Sequence, residues 1–169
     1  MLTTRWPVMM PGDDVRRRHR LRGKALQDAW IHFLGPLPWQ SFVTLTFDPK
    51  RVYPVNCAKA GREAFTWCNL AARTLRCPLG WVYAPERSRS GQWHVHALIM
   101  GTSPESLTVP AAIWRLRNGF TDVQPVTGRR RITLYTTKAA ALTGEVVWSD
   151  TLGRYRHALR DEVTVSLHP

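Results

Sequence analysis

Gly80-Trp81-Val82-Tyr83-Ala84-Pro85-Glu86-Arg87-Ser88-Arg89-Ser90-Gly91-Gln92-Trp93-His94-Val95-His96-Ala97-Leu98-Ile99-Met100 is the stretch from which the fold can be read. Two aromatic and β-branched runs, 80–86 and 92–100, flank a basic, serine-rich tip at 87–91 that ends in glycine. That pattern predicts two strands joined by a hairpin, and a hairpin makes its strands antiparallel. Along a strand, side chains i and i+2 share a face. His94 and His96 therefore point one way, and Val95 and Ala97 the other. The loop folds Glu86 back beside the pair. Two imidazoles and a carboxylate on one face can hold one divalent ion with positions left for substrate oxygens. The histidines alone equally describe two half-exposed groups on a polar sheet face. The acid at hairpin distance adds weight to the metal reading. Trp93, next to His94, faces the opposite side.

Outward from the hairpin, the flanking segments alternate between helix and strand signals. Ser41 to Phe47 is β-branched and aromatic, and Asp48-Pro49 stops it, which predicts a strand. Residues 57–75 carry Ala64, Phe65, Cys68, Ala71, Ala72 and Leu75 on one helical face. Asp13-Asp14 precede a run with Leu21, Ala25, Ala29 and Phe33 at helical spacing, closed by Gly35-Pro36. This predicts a helix over 14–34 with a basic first half, led by a flexible segment 1–13. Further along, the reading is a helix over 109–117 closing at Asn118-Gly119, a strand over 120–126, and a helix over 129–142. The tail from 145 reads as a strand or hairpin through Val146-Val147-Trp148, turning near Asp150 to Gly153. The order is α-β-α-β-β-α-β-α-β. It points to an α+β fold on an antiparallel sheet, with the helices grouped on one side. Residues 14–169 form one domain in this reading.

Composition narrows the function. The chain has 169 residues, of which 44% are hydrophobic and 21% charged, as expected of a globular domain. Lys and Arg number 24 against 12 Asp and Glu, a net charge of +12, and the pI is near 10.8. Such a surface favours a polyanion, with nucleic acid as the default partner. Small uncharged substrates and a membrane span are disfavoured. No apolar leader core opens the sequence, and the three cysteines form no CxxC pair. A reducing cytoplasm is the expected setting.

A second chemical element is Tyr135-Thr136-Thr137-Lys138. On a helix, i and i+3 are neighbours, so a phenol and an ammonium can reach one small volume. A nearby cation favours the phenolate or neutralises the phosphate it attacks. Taken alone, the same residues describe a surface helix with a half-buried tyrosine.

Together these pieces resemble the HUH endonucleases, in particular the single-tyrosine rolling-circle replication initiators. Phe42-Val43-Thr44-Leu45-Thr46-Phe47 is similar to the family's first motif. His94-Val95-His96 matches its His-hydrophobic-His motif, and Tyr135-Thr136-Thr137-Lys138 its YxxK motif. The resemblance covers about residues 41–142. It implies a central five-stranded antiparallel sheet with flanking helices, and Mg2+ or Mn2+ held by Glu86, His94 and His96. It also implies sequence-specific nicking and joining of single-stranded or extruded origin DNA. Tyr135 would form the 5′-phosphotyrosyl link and Lys138 would assist at the phosphate. A host helicase and polymerase would then extend the free 3′ end. Arg87 and Arg89 in the hairpin, and Arg129, Arg130 and Arg131 before the tyrosine, are candidate phosphate contacts. Phage-type members carry a second tyrosine four positions after the first, where this chain has Ala139. No P-loop appears in these residues, so the helicase domain of larger initiators is not expected here. Two alternatives remain: an HUH-type transposase of an insertion sequence, and a non-catalytic module binding single-stranded nucleic acid.

Overall fold

A strand of alternating burial, β1 (Ser41–Phe47), organises the sheet: Val43, Leu45 and Phe47 are buried while Phe42, Thr44 and Thr46 are partly exposed. In the computed structural model, residues 25, 27–127 and 146–152 are described. The expectations for 1–13, the basic stretch 16–24, the helix 129–142 and the tail beyond 152 lie outside the described residues.

After a helix α1 at 27–34, the chain runs β1, α2 (Cys57–Leu75), β2 (Gly80–Arg87), β3 (Trp93–Met100), a 3-10 turn (Glu105–Leu107), α3 (Thr108–Arg117), β4 (Gly119–Pro125) and β5 (Val147–Trp148). The strands form one five-stranded sheet in the order β4-β1-β3-β2-β5. All four pairings are antiparallel. The α+β architecture read from the hairpin is therefore the one observed.

Local chemistry sets the element ends. Asn56 caps α2, its side-chain oxygen accepting from the Lys59 amide at 2.8 Å. The β2–β3 connection is a tight turn in which the Gly91 amide donates to the Ser88 carbonyl at 2.9 Å. Gly91 has φ +87°, a conformation that favours glycine.

Helices α2 and α3 cover one face. Val43, Leu45, Phe47, Trp81, Tyr83, Val95, Ala97 and Ile99 from the sheet meet Ala60, Ala64, Trp67, Cys68, Ala71 and Trp114 there. Trp93 packs against this core, away from the histidines. The Trp67 indole donates to the Pro110 carbonyl at 2.9 Å, joining the two helices. Each fully buried large side chain in such a layer contributes about 1.5–3 kcal/mol.

The opposite face corrects the expectation that the helices gather on one side. Leu34, Leu37 and Trp39 pack with Val82, Leu98, Met100 and Leu152 against that face, with Trp30, Phe42 and Trp148 alongside. The hairpin turn expected at Asp150 to Gly153 is also corrected where the chain is described: residues 150–152 are helical. Ser149 explains the change. Its hydroxyl accepts from the Trp81 amide at 3.0 Å, and its own amide donates to the Trp81 carbonyl at 2.9 Å. That pairing ends β5 after two residues. Ser149 then stands before the helical turn, where serine is favoured, and Leu152 becomes buried.

Candidate metal centre and nucleic-acid face

Among the described residues, the apolar cover on this second face extends over only half of it. Rows of paired residues cross the strands, and each row shares a face. One row is Gln124, Phe42, Leu98, Val82 and Trp148, from β4 to β5. It belongs to the covered half, because Leu98 and Val82 lie in the core beneath α1. The next row is Asp122, Thr44, His96 and Ala84, and the one after it is Phe120, Thr46, His94 and Glu86. These last two rows are polar apart from Ala84 and Phe120. The face thus changes from hydrophobic to hydrogen-bonding within one pleat.

The structure brings Glu86, His94 and His96 together on this polar half. Each histidine is fixed by a threonine of β1. His94 Nδ1 lies 3.0 Å from Thr46 Oγ1, and His96 Nδ1 lies 3.2 Å from Thr44 Oγ1. The rings are nearly parallel, 16° apart, with centroids 6.4 Å from each other. Phe42 stacks on His96 from the covered side, with centroids 5.6 Å apart. Glu86 Oε2 lies 3.3 Å from His96 Nε2, and the His96 side chain is only 16% exposed. Holding Nδ1 in a hydrogen bond fixes the ring and leaves Nε2 as the working nitrogen, the usual arrangement behind a ligating histidine.

Both imidazoles sit below the ordinary histidine pKa. Burial against the sheet is the main cause for each. The Glu86 carboxylate opposes it, and for His96 the neighbouring His94 adds to the lowering. Neutral imidazoles keep a lone pair, which a metal ligand requires. Two nitrogens and one carboxylate therefore suit a divalent cation in donor type. Among the described residues, no three His, Cys, Asp or Glu side chains converge on one ion position as they stand. Glu86 engages His96 only, so the set needs a side-chain rotation to act jointly.

Basic residues gather at the same end of the sheet. The ends of β1 and β2 and the starts of β3 and β4 lie there. The connections carry Lys50 and Arg51 after β1, Arg89 in the hairpin, and Arg115 and Arg117 before β4. Arg51 is shared between Asp48, at 3.4 Å, and the Arg115 carbonyl, at 2.6 Å. Arg89 is exposed. Arg87 pairs with Trp93, in the register opposite to Glu86, and its Nε donates to the Gly91 carbonyl at 3.0 Å. Its guanidinium is thus partly committed to shaping the hairpin. Tyr135, Lys138, Arg129, Arg130 and Arg131 lie outside the described residues. Of the two tyrosines among the described residues, Tyr83 is buried on the other face and donates to the Gly61 carbonyl at 2.8 Å, while Tyr53 is 82% exposed in the loop after β1.

Two features escape a reading of the hairpin alone. The threonine supports come from β1, whose Thr44 and Thr46 alternate with buried Val43, Leu45 and Phe47. That alternation was visible, but the partners were not. Phe120 is the second: it stands 68% exposed on the polar half-face. Its signal was the alternation of Thr121 and Val123 toward the core. Among the described residues, no helix is long and apolar enough to cross a membrane. Compared with protein-family models, curated proteins and solved structures, the chain matches none.

Proposed function

We propose that this chain is a metal-dependent endonuclease that nicks and rejoins single-stranded DNA through Tyr135, as a rolling-circle replication initiator does. The observation that carries the reading is the grouping of Glu86, His94 and His96 on the polar half of a sheet face, each histidine held by a threonine. A net charge of +12 and the basic loops at that end of the sheet favour an anionic polymer as substrate. This activity would be carried out where DNA replicates, in a cytoplasmic setting.

A divalent cation, Mg2+ or Mn2+, held by Glu86, His94 and His96 would supply positive charge at a non-bridging oxygen of the scissile phosphate. The chain's own residues do the rest. Thr44 and Thr46 keep the imidazoles oriented. Arg89, with Arg129, Arg130 and Arg131, holds flanking phosphates and sets the register of the strand. Tyr135 gives up its phenolic proton and its oxygen attacks phosphorus in line. The new bond joins the phenolic oxygen to phosphorus, and the bond from phosphorus to the 3′ oxygen breaks. That oxygen takes a proton and leaves as a free 3′-hydroxyl. The phosphoester is conserved, so a later 3′-hydroxyl can reverse the step and seal the strand. Lys138, three residues after Tyr135 in the sequence, stabilises charge on the transferring group.

The test is incubation of the full chain with a pool of random single-stranded oligonucleotides and Mn2+, followed by denaturing electrophoresis. A covalent adduct is expected with the native chain and with Tyr53→Phe, and none with Tyr135→Phe. An adduct that survives Tyr135→Phe removes that residue from its role. No adduct from any oligonucleotide, with Mn2+ or Mg2+, overturns the activity.

A further inference from the structure

Phe120 is a large apolar side chain left mostly exposed. It is the second residue of β4, an edge strand of the described sheet, and faces the polar half of the sheet with 68% of its surface in water. In register it shares one row with Thr46, His94 and Glu86. Strands are spaced about 4.8 Å apart, so its backbone lies two spacings, roughly 10 Å, from that of His94. The neighbouring β4 residue on this face is Asp122, and the sheet end beyond Phe120 carries Arg115 and Arg117. An apolar ring beside a polar floor and a basic rim matches the chemistry of one ligand type: a flat unsaturated ring attached to an anionic backbone.

We infer that Phe120 is a stacking platform for an unpaired base of single-stranded DNA, seating a nucleotide close to the one whose phosphate reaches His94 and Glu86. The choice of DNA rests on the function proposed above; the stacking geometry does not. An aromatic face accepts any base, so this contact gives affinity and register without reading sequence. The basic rim holds the backbone, and the ring holds a base, which stops the strand from sliding past the histidines.

The experiment measures binding without chemistry. A fluorescent single-stranded DNA oligonucleotide of mixed sequence is titrated by anisotropy in chelator, beside an abasic chain of equal length and charge. The native chain is expected to prefer the base-bearing strand. Phe120→Ala and Phe120→Leu should lose roughly tenfold in affinity for that strand and none for the abasic one. Phe120→Trp should retain full affinity, and thermal unfolding of all three should match the native chain. Equal binding of both strands by the native chain, or equal losses on both in Phe120→Ala, overturns the stacking role. A Phe120-dependent preference seen with RNA but not DNA overturns the DNA assignment. Because cleavage is not read, a failed nickase assay leaves this result standing, and a failed stacking test leaves the nickase open.

Discussion

Glu86 pairs in register with His94, yet its carboxylate reaches the diagonal neighbour, His96, at 3.3 Å. Small Ala84 lies directly across from His96 and leaves room for that lean. The acid is thus within reach of both imidazoles but bonded to one. Removing its charge while keeping its shape tests whether the three act as a set. Glu86→Gln should weaken Mn2+ binding by about tenfold or more, measured by calorimetric titration, with unfolding temperature nearly unchanged. Unaltered Mn2+ affinity would leave Glu86 as a simple partner of His96.

Thr44 and Thr46 offer a finer test, because neither is a candidate ligand. Each meets an imidazole Nδ1, at 3.2 and 3.0 Å. Thr44→Val and Thr46→Val keep shape and lose the hydroxyl, so the rings are free to turn. Mn2+ affinity should fall by about 10- to 100-fold in each, as for other supports behind a ligand. The cost to folding should stay at about 1 kcal/mol, the usual net contribution of one hydrogen bond. A variant that binds Mn2+ like the native chain shows that the threonine merely fills space.

Acid should destabilise the metal-free protein through this cluster. Both imidazoles have folded pKa values below the ordinary one, mainly from burial. Below about pH 6.5 the unfolded chain therefore binds more protons than the folded one. The contribution is complete above that pH and is lost as pH falls. Glu86 opposes the effect, and Asp122 is the other acid on these rows. The unfolding temperature should drop between about pH 7.5 and 5.5, and less steeply in a His94→Gln, His96→Gln double variant. Parallel pH curves for the two proteins would contradict the sign.

Much of this arrangement was legible in the chain, and the reasons differ by residue. β1 and α2 came out with their expected bounds, 41–47 and 57–75, because alternation and helical spacing are local signals. Local signals also put Glu86, His94 and His96 on one face. Which half of that face carries the apolar cover was not legible. It depends on α1 and Leu152 crossing behind the sheet, and those contacts join residues far apart in sequence. The diagonal reach of Glu86 and the isolation of Phe120 have the same origin.

The buried side of the sheet carries its own test. Cys68 is fully buried between α2 and the strands. Desolvation pushes its thiol far above the ordinary range, so the reactive thiolate is suppressed. A thiol reagent followed by peptide mass mapping should leave Cys68 unlabelled in the native chain and label it on unfolding. Cys57 and Cys77, both partly exposed near the two ends of α2, should be labelled before it. Rapid native labelling of Cys68 would mean that α2 does not seal this face.

Gly119 links fold stability to the histidine cluster. It opens β4 opposite Phe47 with φ +146°, a conformation that side-chain-bearing residues rarely adopt. A Cβ there would meet the Thr46 carbonyl oxygen and the backbone of Phe47 and Asp48. Nothing flexible can yield, so Gly119→Ala must move the end of β1 or of β4. The expected cost is about 1–3 kcal/mol, a fall of several degrees in unfolding temperature. Thr46 would move with that strand end, and with it the hydroxyl that holds His94. Gly119→Ala should therefore also weaken Mn2+ binding, although residue 119 touches no candidate ligand. Gly61→Ala is the contrast, because its Cβ would meet only Pro85 Cγ at 3.9 Å within α2. That change should raise stability by about 0.5–1 kcal/mol and leave Mn2+ affinity alone. If Gly119→Ala lowers stability with Mn2+ affinity intact, the end of β1 does not position His94.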